Sequence, residues 1–398
     1  MKKERLIVKD FGPIVEAEIE IKPFMVFIGE SGSGKSVILK LLSLFRWICK
    51  KNHLRLFAKN LGAKNLFRFR IERIVKESGL DDFFKKTTYI EYDTELENIT
   101  IIQENERLQL KITPKTENIQ LRLEKISFII DDRFAIAMLL NNQVHNGSIP
   151  YHLQKTLEDF NISFQAVSNS KKALIRIMNI ELVKEKYGIS ERFFIKNQDS
   201  KTQFHNSSSG MKSTTIIEVI LSYFAFKFDW KSKIRETLFD VFWGMKFENM
   251  ERASHTIYEN DVPFRLNFFI EEPELSLFPN AQKSLIEYLA SLFNQTKNKE
   301  VNIAFSTHSP YILSALNCLL KAHEISIKKS ELKQQIERIL PEKCWLNIDN
   351  FNAFKVKNGT VKSIINEETN LILADEIDEV SEEIGQIFDD LLDLEYGK

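Results

Sequence analysis

Four short runs in this chain carry residue types at spacings that suit the handling of a polyphosphate. Gly29-Glu30-Ser31-Gly32-Ser33-Gly34-Lys35-Ser36 completes a GxxxxGK[ST] loop between an apolar strand-like run and an apolar helix-like run, the context that separates such a loop from a chance match. Gly32 and Gly34 let successive N–H groups turn inward onto phosphate oxygens, and the positive end of the following helix adds to them. Lys35 is expected to neutralise β- and γ-phosphate charge and the Ser36 hydroxyl to ligate Mg2+, which makes ATP and Mg2+ the expected ligands.

Leu266-Asn267-Phe268-Phe269-Ile270 runs straight into Glu271-Glu272-Pro273-Glu274. Carboxylates follow a buried strand only for cause. Glu271 is expected to hold Mg2+ through water, and Glu272 to act as general base on the attacking water opposite the γ-phosphate. Phe305-Ser306-Thr307-His308-Ser309-Pro310 ends the next apolar strand. A histidine in that position is, alone, more often structural. Coming after the other two runs, His308 is expected to contact the γ-phosphate and sense its loss. Ser207-Ser208-Ser209-Gly210-Met211-Lys212-Ser213 opens a helix and offers a second anion site through its N–H groups and the helix dipole.

Rigid elements must hold these runs. Arg5–Val8, Ile14–Ile21 and Met25–Ile28 read as strands, and Val37, Ile38, Leu41, Leu42, Leu44 and Phe45 mark a helix after Ser36. From Thr88 to Ile130 the period drops to two, at Ile99–Ile102, Leu108–Ile112, Ile119–Leu123 and Ile126–Ile130, which reads as an antiparallel sheet. Phe134 to about Phe194 reads as mostly helical, with a polar break at Asn141–Pro150 and a polar loop at Asn197–Ser209. Leu266–Ile270 and Val301–Ser306 read as strands, Ala281–Phe293 and the run from Pro310 as helices. Ile377, Val380, Ile384, Ile387 and Leu391 give 371–396 the spacing of an amphipathic helix with acids between. The expected fold class is α/β.

Composition bounds what such a chain can be. It has 398 residues, 43% hydrophobic and 28% charged, enough for a core and inconsistent with a disordered or collagenous protein. The 55 basic and 56 acidic residues leave a net charge of −1, so the chain as a whole is no polycation. That balance is a cancellation. Residues 46–76 carry ten Lys and Arg against Glu72 alone, interleaved with Trp47, Phe57, Phe67 and Phe69, while Glu367 to Glu395 contains no Lys or Arg. Cys49, Cys318 and Cys344 form no CxxC pair, which points to a reducing compartment. MKKERLIVKDFG leads into a strand with no apolar h-region, and no 18-residue apolar run occurs, so a cytoplasmic protein without a membrane anchor is expected. The 31 Phe against 9 Tyr and 4 Trp read as core packing.

Together these runs resemble an ABC-type ATPase head of the SMC/OLD-like branch, over nearly the whole chain. LIVKDFGPIVEAEIEIKPFMVFIGESGSGKS is similar to the start of such heads, SSSGMKS to their signature loop, FFIEEPELSLFP to their extended acidic motif and FSTHSPYIL to their switch histidine. The resemblance implies ATP sandwiched between two heads, with Lys35 of one facing Ser208, Ser209 and Gly210 of the other. It also implies an ABC-type P-loop NTPase head with an antiparallel β subdomain, an inserted helical lobe and a C-terminal helical tail. Residues 1–130 would form the N-terminal half of the head, 131–196 the helical lobe, 197–320 the C-terminal half and 321–398 an extension with the acidic helix. Three departures stand out. Leu277-Phe278-Pro279 replaces a histidine of many relatives, the Mg2+-touching glutamine has only Gln103 as a candidate, and SFIIDDRF lacks the proline of a Pro-x-x-Arg segment that Arg133 would complete.

In OLD-type relatives a Toprim nuclease follows the head. Here Asp375, Glu376, Asp378 and Glu379 fall on one helix face, and metal carboxylates must converge from separated positions, so a nuclease in cis is not expected. Stand-alone heads of this kind resemble the ATPase half of two-gene anti-phage modules of the PARIS or Septu type, and the compact, armless chain favours PARIS. The resemblance implies a homo-oligomeric ATP-driven switch or scaffold controlling a separate effector, a Toprim or HNH nuclease. A DNA-handling ATPase of repair or maintenance is the alternative, with 46–76 either a DNA contact or a solvated helix face whose aromatics point into the core. A transporter subunit fits the head chemistry but not the long interval between Lys35 and Ser207.

Overall fold

The computed structural model describes residues 4–60, 68–116, 121–141, 149–167, 171–188, 190–231, 262–296 and 299–373, with 386, 387 and 391 beyond them. Strands β1 (Glu4–Phe11), β2 (Ile14–Ile21) and β3 (Phe24–Ile28) lead into helices α1 (Lys35–Asn60) and α2 (Ile71–Glu77). Strands β4 (Tyr89–Asp93), β5 (Glu97–Glu104), β6 (Arg107–Pro114) and β7 (Leu123–Ile129) follow, then helices α3 (Ile136–Leu140) and α4 (Tyr151–Val167). Next come β8 (Lys172–Ile175), β9 (Ile180–Tyr187), β10 (Ser190–Lys196), β11 (Lys201–Gln203) and α5 (Ser209–Ser222). The chain then alternates β12 (Phe264–Ile270), α6 (Pro279–Gln295), β13 (Glu300–Thr307), α7 (Pro310–Lys328) and α8 (Lys333–Ile339). It returns as the hairpin β14 (Phe351–Lys357) and β15 (Thr360–Ser363), and the short pair β16 (Ile365–Asn366) and β17 (Leu371–Ile372).

One sheet organises the described residues, in the order β6-β5-β4-β1-β2-β15-β14-β3-β13-β12-β7. Strands β14, β3, β13, β12 and β7 are mutually parallel, while β1, β2, β4, β5 and β6 pair antiparallel. The parallel part is covered on both faces, which is why its strands are continuous apolar runs rather than alternating ones. Phe24 and Val26 of β3 point into the core shared with α5, α6 and α7, whereas Met25 and Phe27 point into the core under α1. Phe27 stacks on Phe354 of β14 with ring centroids 5.4 Å apart, and Phe24 meets Phe305 edge-on at 6.0 Å. Phe11, Phe45, Phe160, Phe204, Phe268 and Phe351 are fully buried, each contributing roughly 1.5–3 kcal/mol of hydrophobic burial. The phenylalanine excess is core.

The structure differs from the sequence expectation in four places. Leu123–Ile129 does not join the antiparallel strands but pairs parallel with β12 at the edge of the main sheet; Ile119 lies outside the described residues. Residues 134–194, expected to be mostly helical, are helical at α3 and α4 and then become a four-stranded sheet, β11-β10-β9-β8. The physical reason is turn chemistry: Asn179 and Gly188 take φ of 51° and 63° and close hairpins where a helix would have to continue. Phe351–Ser363, beyond the expected end of the head at 320, lies inside the main sheet, β14 pairing with β3 and β15 with β2. Leu371–Ile372 pairs with β16 instead of starting a helix, and nearly all of the acidic helix expected further on lies outside the described residues.

The basic stretch 46–76 is not one surface. Arg46 is buried, with Nη2 2.5 Å from Glu4 Oε2, and Arg265 reaches the same carboxylate at 3.2 Å. Burial would raise the Glu4 pKa, but the two guanidiniums pull it down to about 2. Trp47, Phe57 and Phe69 pack against the cores. Lys59, Arg68, Arg70, Arg73 and Lys76 are exposed, and Arg73 pairs with Glu77 one turn on at 2.6 Å.

Candidate functional site

The phosphate loop leaves β3 at Gly29 and enters α1 at Lys35. Each glycine has its own reason. Gly29 must be small because a Cβ there would lie 2.3 Å from the Val356 carbonyl oxygen at the end of β14. Gly34, at φ 111°, packs against Ile14, and a Cβ would meet its Cδ1 at 2.6 Å. Gly32, at φ 76°, has nothing within 4 Å of a Cβ, so backbone conformation alone demands glycine there. Lys35 is buried and donates from Nζ to the Gly29 and Glu30 carbonyls, both at 2.8 Å. Burial pushes its pKa down, while Glu272 and Glu274 push it up. Ser33 Oγ is buried without a hydrogen-bond partner among the described residues, as expected of a cradle that awaits an acceptor.

The acidic turn sits at the end of β12, between β13 and β7. Glu271 is 3% exposed and lies close to the Ser36 side chain, while its Oε2 accepts from the Asp131 amide at 3.3 Å. Burial first, then the charge of Asp131, raise its pKa to about 7, against the pull of Lys40. A carboxylate and a hydroxyl converging in a buried site, with no ion pair to the carboxylate among the described residues, fit a hard divalent ion, so Ser36 and Glu271 fit Mg2+.

Glu272 takes a left-handed φ of 41°, a conformation that costs a non-glycine residue and persists only when its surroundings hold it. Three groups do. Its amide donates to Ser306 Oγ at 3.3 Å, its carbonyl accepts from Arg133 Nη2 at 2.6 Å, and its Oε1 lies 2.9 Å from His308 Nε2. The hydrogen bond from His308 outweighs burial and lowers the Glu272 pKa, with Lys35 and Arg133 adding to the effect. The carboxylate therefore stays ionised at neutral pH, as a base must. His308 is placed in turn by Glu274, which is buried and accepts from the His308 amide at 2.8 Å and Thr307 Oγ1 at 2.7 Å.

Arg133 is the residue that sequence reasoning undervalued. It is fully buried and donates from Nη1 to the Ile130 and Glu271 carbonyls at 3.0 and 2.6 Å, and from Nε to Ser213 Oγ at 2.8 Å. Burial lowers its pKa to about 10 even though four acids surround it. The signal available was an arginine following an apolar strand, Ser127-Phe128-Ile129-Ile130-Asp131-Asp132-Arg133. Nothing local says which carbonyls it would reach.

The run Ser207–Ser213 opens α5 as expected. Ser208 caps the helix, its Oγ accepting from the Met211 amide at 3.2 Å, and Ser208 and Ser209 are exposed. Gly210 presses on the turn after the acidic motif, where a Cβ would come 2.6 Å from the Ser276 carbonyl oxygen. The fold thus brings the phosphate loop, Glu271, Glu272 and His308 together, and stands Gly210 against Ser276–Leu277. Gln103 lies at the end of β5, in the antiparallel part of the sheet, with Oε1 buried and unpartnered among the described residues. Among the described residues no helix is long and apolar enough to cross a membrane.

No family model and no curated protein matches the chain. Solved structures do align with it over nearly their whole length. The SMC head domain from Thermotoga maritima aligns at 11% identity and a TM-score of 0.39, covering 92% of this chain and 98% of the other. The Smc head domain from Pyrococcus furiosus, with an extended coiled coil and bound to the C-terminal domain of ScpA, gives 11%, 0.37, 91% and 95% in the same order. The recombination mediator protein RecF gives 12%, 0.37, 91% and 98%. The chain itself is mixed α/β, with a GxxxxGK[ST] loop between β3 of its main sheet and α1.

Proposed function

We propose that the protein is an ATP-hydrolysing switch whose heads assemble around ATP and control a separate partner protein. The observation that carries the reading is the Glu272–His308 pair, 2.9 Å apart, standing beside a complete phosphate loop. Lys35 and the loop amides bind and orient the polyphosphate of ATP. Glu272, kept ionised by His308, orients a water and accepts its proton at the carboxylate. Mg2+, held by Ser36 and Glu271 when bound, supplies charge neutralisation at the phosphates. Arg133 and Glu274 fix the backbone that aims Glu272 and His308.

Assembly follows from exposure. Ser208 and Ser209 stand exposed at a helix N-terminus, whose dipole favours an anion. A nucleotide held by a second copy supplies one. The long-lived product of such a cycle is a conformational state that a partner reads. We propose a nuclease effector and an anti-phage role as the finer reading, on the motif resemblance alone. The test is size-exclusion of the Glu272→Gln protein with ATP and Mg2+. A dimer or larger species that disappears without nucleotide supports the switch; a monomer under both conditions ends it.

A further inference from the structure

Helices α1 and α2, strand β7 and the first turns of α4 line an open cavity of about 300 Å3. It shares no residue with the phosphate loop, the acidic turn or His308. Its walls carry Lys40, Trp47 and Lys50 from α1, Lys125 from β7, and Tyr151 and Lys155 from α4. The volume is at the lower end of those that hold small ligands.

The charge in this space is unbalanced. Lys125 is neutralised by Asp159 at 2.5 Å, and Lys155 by Glu158 at 2.6 Å. Lys40 and Lys50 face the same cavity, half-buried, and neither has an ion pair or hydrogen bond among the described residues. Burial, with the ammonium groups of Lys125 and Lys51 nearby, pushes the Lys50 pKa down to about 8. The charges of Glu124 and Asp159 oppose that shift without cancelling it. The remaining titratable groups of the lining are Glu77, His152 and Asp159. His152 is neutral, its pKa lowered to about 4 by burial and by Lys40, and its Nε2 lies 3.2 Å from the Ser78 carbonyl.

Two ammonium groups with no direct ion pair or hydrogen bond among the described residues match one phosphate monoester, which carries a charge of roughly −2 at neutral pH. The indole of Trp47 and the phenol of Tyr151 add flat apolar wall to the same cavity, suited to a planar ring. We propose that this cavity is a second ligand site, for a small molecule of the nucleoside-monophosphate class, with its phosphate on Lys40 and Lys50 and its base against Trp47 and Tyr151.

The test uses the full chain saturated at the phosphate loop with Mg2+ and a slowly hydrolysed ATP analogue. It is titrated calorimetrically with adenosine monophosphate and, separately, with inorganic pyrophosphate. The expected result is one further equivalent of adenosine monophosphate, bound more tightly than pyrophosphate. Lys50→Met and Lys40→Met, each checked for an unchanged melting temperature, should weaken that binding by roughly tenfold. Binding that persists in Lys35→Ala separates this site from displacement at the phosphate loop, so the two readings fail independently. No further equivalent, equal or tighter binding of pyrophosphate, or affinity unchanged in both lysine variants would overturn the proposal. So would binding of a single-stranded oligonucleotide in place of the small probe.

Discussion

Arg133 Nη2 donates to the Glu272 carbonyl oxygen at 2.6 Å while Nε of the same side chain donates to Ser213 Oγ at 2.8 Å. One fully buried guanidinium therefore joins the Glu271–Glu274 turn to the helix that begins at Ser209. The two motifs stand far apart in sequence and share this support. Any movement of α5 has a direct mechanical path to the backbone of Glu272.

Arg133→Ala strips the Glu271 and Glu272 carbonyls and the Ser213 hydroxyl of this donor, while the Ile130 carbonyl keeps the residue 133 amide. It should lower stability by about 3 kcal/mol or more, the cost of several unsatisfied buried groups. Arg133→Met fills the space and leaves the carbonyls unpaired, so it should recover little. Urea denaturation checks both; a loss under about 1 kcal/mol for Arg133→Ala would contradict the role given to it.

Glu272→Gln should retain nucleotide binding and lose hydrolysis by about 100-fold or more, the scale of removing a general base. His308→Ala should cost less and move the acid limb of the pH–rate profile. His308 holds the Glu272 pKa below its ordinary value, so without it the carboxylate takes a proton at higher pH and the limb shifts upward. Phosphate release against pH measures this, and an unshifted limb would separate His308 from Glu272.

Glu271 costs the protein stability when no cation is present. Its pKa is raised from 4.5 to about 7, so the folded state binds the proton more tightly than the unfolded chain. The penalty is absent below the unfolded value, grows as pH rises through this window, and is complete above about 7. In metal-free buffer Glu271→Gln should therefore be stabilising at pH 8 by up to about 3 kcal/mol and nearly neutral at pH 4.5. Denaturation midpoints at the two pH values decide it, and a pH-independent difference counts against the burial argument. His152 works in the opposite sense. Its pKa falls from 6.5 to about 4, so its contribution is full above 6.5 and lost as pH falls towards 4.

Gly29→Ala should abolish nucleotide binding while leaving β3 intact. The new Cβ would lie 2.3 Å from the Val356 carbonyl oxygen, and backbone cannot yield as a side chain does. Gly210→Ala meets the Ser276 carbonyl at 2.6 Å and should cost about 1–3 kcal/mol, the range for overpacking. Fluorescent-nucleotide titration and thermal melting read the two effects. Normal ATP affinity in Gly29→Ala would show that β14 does not constrain the loop.

What the sequence determined by itself was local. A glycine-rich loop, a strand ending in carboxylates and a histidine after the next strand each follow from residue types at fixed offsets, and their positions on β3, β12 and β13 are as expected. Alternation also placed β1, β2, β5 and β6. The readings that failed needed information from elsewhere in the chain. Lys172–Lys196 contains Ile175, Ile180, Leu182 and Val183 among Lys and Glu, a pattern both periods can satisfy, and only cross-strand pairing chose the sheet. Phe351–Lys357 reads as a short apolar run after the last motif. Its seat beside β3, with Val356 against Gly29, depends on closing a loop of more than 300 residues (Gly29 to Val356). Arg133 differs from many other arginines only in the four acceptors that the fold brings to it. Local pattern records a residue's own conformational preference, whereas burial and hydrogen-bond partners belong to the packed chain, so tertiary structure alone decided which residues aim Glu272.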